Sequence, residues 1–341
     1  MRHKKISIRD VAKLAGTSVG SASRVINGAP NVADDIREKV NQAILTLSYK
    51  PNYAAQTLRS RNTKTIGCMF SDVTNPLYAR AFRALEARLF EYGYMLLLAN
   101  GLNDPEREVR ILNMFEARSM DGVIIAPGNE RNERVVTAVE SLSMPIVVYD
   151  RDMTIKSDAV LYDHASAIKM AVNHLLGFGH TRIALILWQA RSRAVRLRIE
   201  GYRQAFKERN LPEPDLVILG STPTSSAYAS VTELLRRENA PTAFIAQGTQ
   251  TLSSTLGAIS EFGLKIPQDI SVIGIGDTDF ANFYNPPLTV LQTPVQAVAD
   301  TACTMLIDRI QSRSDQQEYE PRSSLFKYML IERQSCGSPS L

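Results

Sequence analysis

Four arginines, Arg191, Arg193, Arg196 and Arg198, follow Trp188, the only tryptophan of the 341-residue chain. Guanidinium forks suit carboxylate and phosphate oxygens, and an aromatic face beside them suits the apolar side of a ring. Such a cluster can hold an anionic small molecule; the alternative is that the arginines solvate a helix face. A second set lies near the N-terminus. If that segment enters a major groove, Val19 offers apolar contact, Ser21 and Ser23 short hydroxyls, and Arg24 a fork for guanine O6 and N7. Arg24 can equally clamp a phosphate. Gly20 contributes no readout and costs a helix about 1 kcal/mol relative to Ala; close packing is its structural explanation.

Catalytic chemistry finds little footing. Gly274-Ile275-Gly276 lacks the third Gly of a dinucleotide fingerprint, and neither a Walker phosphate loop nor a Gly-x-Ser-x-Gly elbow occurs. His174 and His180 flank a Gly-rich stop at a spacing that suits neither a zinc helix nor a base–nucleophile pair. Cys68, Cys303 and Cys336 are scattered and odd in number, as expected of reduced thiols in a cytoplasm. We therefore expect no enzyme, no metal and no cofactor. The N-terminus has no apolar run of a secretory leader, and no window approaches the roughly 20 apolar residues of a membrane span.

The formal net charge of +4 is unevenly placed. Residues 1–61 hold eleven Lys and Arg against four acids, so +7 sits there and −3 in the other 280 residues. A basic module on a slightly acidic body points to a polyanion partner, with a solvated basic tail as the alternative. The module reads as helices. Ser7 and Asp10 fit a capping box, Ile8, Val11, Ala12, Leu14 and Ala15 recur at helical spacing, and Gly16 is a left-handed stop. Ser18 can cap a second helix, Val19 to about Ile26, closed by Asn27-Gly28. A third, about 34–48, carries Ile36, Val40, Ile44 and Leu47 on one face. Two helices joined by a short Gly-containing turn describe a helix-turn-helix.

From Thr65 onward, apolar runs alternate with helical stretches. Residues 66–70, 95–98, 122–126 and 146–149, then 183–187, 216–219, 243–246 and 270–275, read as buried parallel strands. Helices are expected near 78–92, 104–117, 130–142 and 164–177. The fold class is thus an all-α helix-turn-helix headpiece plus an α/β core of two doubly wound parallel-sheet subdomains sharing a cleft.

The stretch from Ile8 to Ser18, continued by Ser23-Arg24-Val25-Ile26-Asn27-Gly28, resembles the DNA-binding headpiece of the lactose/purine repressor family. Pro51-Asn52-Tyr53-Ala54-Ala55-Gln56-Thr57-Leu58-Arg59 resembles that family's hinge helix. The resemblance implies that Ser18, Val19, Gly20, Ser21, Ser23, Arg24 and Asn27 lie against double-stranded operator DNA. It also implies that Asn52 belongs to the hinge contact and that Ala55 and Leu58 enter the minor groove, where paired leucines would wedge open a base step. Packing of Ala54, Ala55 and Leu58 on the core is the alternative. Further matches, at 72–78, 120–124, 174–180 and 285–290, are similar to the family's effector-binding core, which is periplasmic-binding-protein-like.

That resemblance implies three crossovers, near 160, 291 and 322. The expected domains are 1–50 (headpiece), 51–63 (hinge and linker), 64–160 with 292–322 (first lobe) and 161–291 with 323–341 (second lobe). It also implies that Asp150 bonds a ligand hydroxyl, that Arg198 reaches into the pocket and that Tyr78 covers a ligand face. Helix capping, a surface position and packing are the respective alternatives. Two departures matter: Gly248-Thr249 stands where the family has Asn-Asp, and Gly274-Ile275-Gly276-Asp277 where it has Gly-aromatic-Asp-Asp. With those acceptors gone, Trp188, Thr249 and Asp277 would frame a sugar, sugar acid or sugar phosphate. A ligand-responsive regulator acting as a homodimer is expected, with no membrane partner. No heptad helix trails Leu330–Arg333, so a tetramer joined there is not expected. The rival class, a transport-type binding protein, would leave residues 1–61 without purpose.

Overall fold

The computed structural model describes residues 6–26, 29–49, 62–188, 192–220, 225–312 and 320–339. The chain divides into two compact units, Met1–Thr63 and Lys64–Leu341.

The first unit contains α1 (Ile8–Leu14), α2 (Val19–Ile26) and α3 (Asp34–Thr46). The Ser7 N–H donates to the Asp10 carboxylate at 2.8 Å, the reach-back half of a capping box. Gly16, at φ +63°, makes the left-handed turn that a Cβ would disfavour. Ser18 Oγ then accepts the Ser21 N–H at 3.0 Å and starts α2. Val11, Ala12, Ala22, Val25, Val40 and Ala43 form the buried core, with Ile36, Ile44 and Leu47 packed around it. Leu14, expected in that core, is 53% exposed. At about 100° per residue it lies well round the helix from the face shared by Ile8, Val11, Ala12 and Ala15.

The second unit opens with β1 (Thr65–Phe70), α4 (Pro76–Glu91), β2 (Met95–Asn100), α5 (Pro105–Ala117), β3 (Gly122–Ala126), α6 (Glu133–Glu140), β4 (Ile146–Tyr149) and β5 (Asp158–Tyr162). It crosses to α7 (His164–Gly177), β6 (Ile183–Trp188), α8 (Arg193–Glu208), β7 (Val217–Gly220), α9 (Ser225–Leu235), β8 (Ala243–Gln247), α10 (Gly248–Glu261), β9 (Ser271–Ile275), α11 (Asp279–Phe283) and β10 (Thr289–Gln292). The end of the chain supplies α12 (Val295–Ser312), β11 (Ser323–Phe326) and β12 (Met329–Ile331).

Two six-stranded sheets result, ordered β11-β5-β4-β3-β1-β2 and β12-β10-β9-β8-β6-β7. Every pairing in the first is parallel; in the second only β10–β12 is antiparallel. Continuous apolar runs such as Gly122–Ala126 and Ser271–Ile275 are buried throughout, as strands covered on both faces must be. One core cluster runs from Ile66 and Tyr149 of the first lobe to Leu185 and Ile273 of the second. Helix α12 packs on α4 and on β3, β4 and β5, and so belongs to the first lobe.

The expected third crossover needs correction. Residues 323–326, placed in the second lobe, form the edge strand β11 of the first sheet, beside β5. The cause is Asp158, fully buried, which accepts from the Arg322 N–H at 2.7 Å and from Arg309 at 2.8 and 2.9 Å. A buried carboxylate needs such partners, and they draw the incoming chain onto β5. The crossings therefore follow Tyr162, Gln292 and Phe326. The helix expected at 130–142 spans 133–140, started by Asn132, whose side chain accepts from Arg134 N and Val135 N.

Candidate functional site

In each sheet the strand order reverses beside a central strand, β1 in the first and β6 in the second. Ligands of open α/β sheets bind beyond the strand C-termini at such points. A cleft, partly open to solvent, lies there between the lobes. The first lobe contributes the β1–α4 turn, Asp72 to Leu77, and Arg80. The second contributes Trp188, Arg198, the first turn of α10 and the β9–α11 turn, and Thr293 and Tyr328 come from crossovers.

Of the six residues expected at this site, four line the cavity: Trp188, Arg198, Thr249 and Asp277. Trp188 is half-buried at the end of β6. Arg198 is 6% exposed, its charge acts on the Tyr328 hydroxyl, and its Nε has no partner among the described residues. The Thr249 hydroxyl, also buried, has none either. The Asp277 carboxylate is engaged by Arg333 at 2.9 Å and by Gln292 at 2.6 Å. Its carbonyl accepts from Arg80 of the opposite lobe.

Tyr78 and Asp150 are not brought to the cavity surface. The Tyr78 ring stacks on Phe70, centroids 4.5 Å apart. Its hydroxyl receives Arg151 Nη2 at 2.8 Å and Ser71 Oγ at 3.2 Å, so both its face and its polar end are used within the first lobe. Asp150 is buried with φ +52°, a left-handed conformation that Asp tolerates better than most residues. Its carboxylate accepts from His164 Nε2 at 2.9 Å, the Tyr162 N–H at 3.2 Å and Arg193 Nη1 at 3.4 Å. Burial works against the charge, but His164 and Arg151 outweigh it and hold the carboxyl below the usual carboxylate range. Burial and then the charges of Arg198 and Arg193 push His164 below its ordinary value, against the pull of Asp150. Neutral His164 donates from Nε2 and accepts the Tyr328 hydroxyl at Nδ1, 3.0 Å away. A buried hydrogen-bonded chain Tyr328–His164–Asp150, with the Arg198 charge acting on its Tyr328 end, thus runs from the cavity into the crossovers.

The arginine cluster is divided. Arg191 lies outside the described residues. Arg193 also donates to the Tyr162 carbonyl at 2.7 Å, and Arg196 pairs across the lobes with Glu130 at 2.9 Å and Asp152 at 3.5 Å. Of the three described arginines of the cluster, Arg198 alone lines the cavity. Sequence reasoning passed over Asp72, Arg80, Gln247 and Tyr328. Asp72 and Gln247 stand at or just after strand ends, where ligands of such sheets bind; Arg80, one turn into α4, and Tyr328, in the third crossover, carry no local signal.

On the headpiece, Val19, Gly20 and Arg24 are exposed, and Ser21 and Ser23 half-buried, opposite the buried Ala22 and Val25. Arg24 donates to the Asn31 carbonyl at 3.0 Å, which braces it toward the turn after α2. Ser18 is committed to its cap. A Cβ on Gly20 would meet only Ser18 Oγ, at 3.7 Å, so nothing within the headpiece demands glycine there. Asn27, Asn52, Ala55 and Leu58 lie outside the described residues. His180 sits between Thr242, Ser271 and the Gly337 carbonyl, a structural staple. The buried Cys68 and Cys303 thiols are pushed up by burial, Cys303 to about 12, which makes them poor nucleophiles. Among the described residues no cluster of His, Cys, Asp or Glu is arranged for a metal, and no helix is long and apolar enough to cross a membrane.

A helix-turn-helix unit joined to a two-lobed, periplasmic-binding-protein-like core defines a DNA-binding regulator with a ligand-binding domain. Residues 7–52 match the family described as "Bacterial regulatory proteins, lacI family", and residues 172–336 the "Periplasmic binding protein-like domain". The "HTH-type transcriptional repressor PurR" of Aliivibrio salmonicida (strain LFI1238) is 30% identical over 310 residues, 90% of this chain and 93% of the relative. The chain belongs to the LacI family of transcriptional regulators. Among solved structures, the lac repressor dimer bound to operator and the anti-inducer ONPF gives a TM-score of 0.85 at 26% identity, covering 98% of this chain and all of that one. The transcriptional regulator CelR–cellobiose complex gives 0.73 at 27%, covering 97% and 99%.

Proposed function

We propose that this chain is a cytoplasmic, non-enzymatic transcriptional repressor that binds a pseudo-palindromic operator as a homodimer. Its grip on DNA responds to a sugar or sugar derivative held in the interlobe cleft. The observation that carries this reading is the cleft itself, framed by both lobes and underlain by the Tyr328–His164–Asp150 chain at the crossovers. A ligand bound there has different contacts when the lobes move, which is what a population shift requires. The cellobiose held by a relative of similar fold supports the ligand class, and the operator-bound lac repressor dimer supports the assembly. Dimerisation also has a surface to use. The edge strand β2 exposes Met95, Leu97 and Leu98 beside Phe90, and the second lobe exposes Phe283. Apolar edges of this kind are normally covered.

The test is removal of residues 1–62. Full-length protein should select two-fold symmetric sites from a random duplex pool, since protein symmetry is mirrored in half-sites. The truncated chain should select none and still bind its effector. Unchanged DNA selection after truncation would overturn the reading in favour of a plain ligand-binding protein.

A further inference from the structure

We infer that the cleft contains an anion seat, built from the N-terminus of α10 and Arg198, and that the effector carries a carboxylate or phosphate group to fill it. This rests on the cleft being the effector site and goes beyond it by naming the charge of the ligand. Helix α10 is fourteen residues long, and its first turn, Gly248 to Thr251, lines the cavity. No side chain caps it, and its first turn holds no acidic residue. The unsatisfied N–H groups and the positive end of the helix dipole therefore face the cavity, an arrangement that favours negative charge. A second and independent feature meets it from α8. Arg198 is 6% exposed, lines the same cavity, and leaves its Nε–H without a partner among the described residues. A guanidinium buried without a carboxylate is costly unless something brings the compensating charge. The Thr249 hydroxyl, buried and unpartnered, adds a third donor at the helix end.

The two carboxylates of the lining do not fill this role. Asp277 is held by Arg333 and Gln292 at the far turn, and Asp72 accepts from the Thr74 N–H and hydroxyl on the opposite lobe, at 3.0 and 2.8 Å. Trp188, Leu77 and Ile275 supply apolar surface beside the seat. The ligand class is a ring compound with one anionic arm, such as a sugar acid or a sugar phosphate.

Trp188 is the only tryptophan and lines the cavity, so its fluorescence reports on this site alone. Full-length protein is titrated at constant ionic strength with inorganic phosphate, gluconate, glucose 6-phosphate and glucose. A saturable change is expected with at least one of the anions. Arg198→Gln and, separately, Thr249→Asp should raise the half-saturating concentration of that anion at least tenfold, while Arg236→Gln, at an exposed position, leaves it unchanged. Thr249 lies at the cavity surface, so Thr249→Asp tests the seat even if Arg198→Gln impairs folding. Three results would overturn the anion seat: no saturable response to any of the anions, a response that neither variant weakens, or a response to glucose alone. The last would leave the cleft as an effector site intact. Conversely, an anion response abolished by both variants but without effect on DNA binding would keep the seat and remove its regulatory role.

Discussion

The Asp150 carboxylate lies 2.9 Å from His164 Nε2, and this bond joins the end of β4 in the first lobe to the first residue of α7 in the second. Both side chains are buried, and Arg193 of α8 completes the junction. Asp150 is thus a positioning residue at the crossovers and stands back from the cavity wall. Asp150→Ala leaves His164 and Arg193 without their shared acceptor. Loss of one member of a buried charged network typically costs about 3–5 kcal/mol. We expect a loss of that order in urea unfolding of the core, whereas Asp277→Asn, at a half-buried position, should cost less.

Glu108 gives the core a definite pH dependence. Its side chain is fully buried, Oε1 accepts the Gly128 N–H at 2.7 Å, and Oε2 has no partner among the described residues. Burial raises its carboxyl to about 7, against the pull of the Gly128 amide and Arg151. The acid is therefore protonated in the folded state where the unfolded chain has already lost the proton. The Glu108 contribution to stability is full below the ordinary glutamate range and is lost, by up to about 3 kcal/mol, as pH rises from about 4.5 to about 7. Glu108→Gln should flatten that window in urea titrations and stabilise the protein at pH 8. An unchanged slope would remove Glu108 as its cause.

In the headpiece, Gly20 is exposed in the first turn of α2, and a Cβ there would meet only Ser18 Oγ at ordinary contact distance. Gly20→Ala should therefore strengthen α2 by a fraction of the about 1 kcal/mol expected in a helix interior, read from slower hydrogen exchange of its amides. If operator binding weakens in the same variant, glycine is there for the DNA, because the headpiece alone does not require it.

What could be read from the sequence divides along physical lines. The strands were visible because parallel strands covered on both faces are written as unbroken apolar runs, and β3 and β4 fall at 122–126 and 146–149 as expected. The recognition helix was visible because caps are local: Gly16 and Ser18 fix its start within two residues. Ser323–Phe326 was misassigned because its place depends on Asp158, 164 positions before Arg322, and on the arginines that Asp158 gathers. Tyr78 and Asp150 were assigned by position in a pattern. Nothing in that pattern shows that Arg151 occupies the hydroxyl of one and His164 the carboxylate of the other.

The same limit applied to the arginines, since only three-dimensional pairing shows which are neutralised. Glu130, on the loop after β3, lies 2.9 Å from Arg196 of α8 and 3.7 Å from the buried Arg151 of its own lobe. Its side chain is fully buried, whereas Arg196 is 36% exposed. One carboxylate therefore separates two guanidinium groups at the junction of the lobes. Glu130→Gln leaves the buried Arg151 without it and Arg196 with Asp152 alone, at 3.5 Å, so attraction between the lobes falls and the two guanidinium groups repel unscreened by Glu130. Solvent at Arg196 screens part of the effect, so the lobe contact should weaken by on the order of 2 kcal/mol. Small-angle scattering should then record a larger radius of gyration at low salt, and added salt should reduce the difference. Arg196→Gln alone removes the second cation together with the bond, so its effect should be smaller. Equal effects of the two variants would mean that the lost bond, and not the exposed repulsion, sets how firmly the lobes hold.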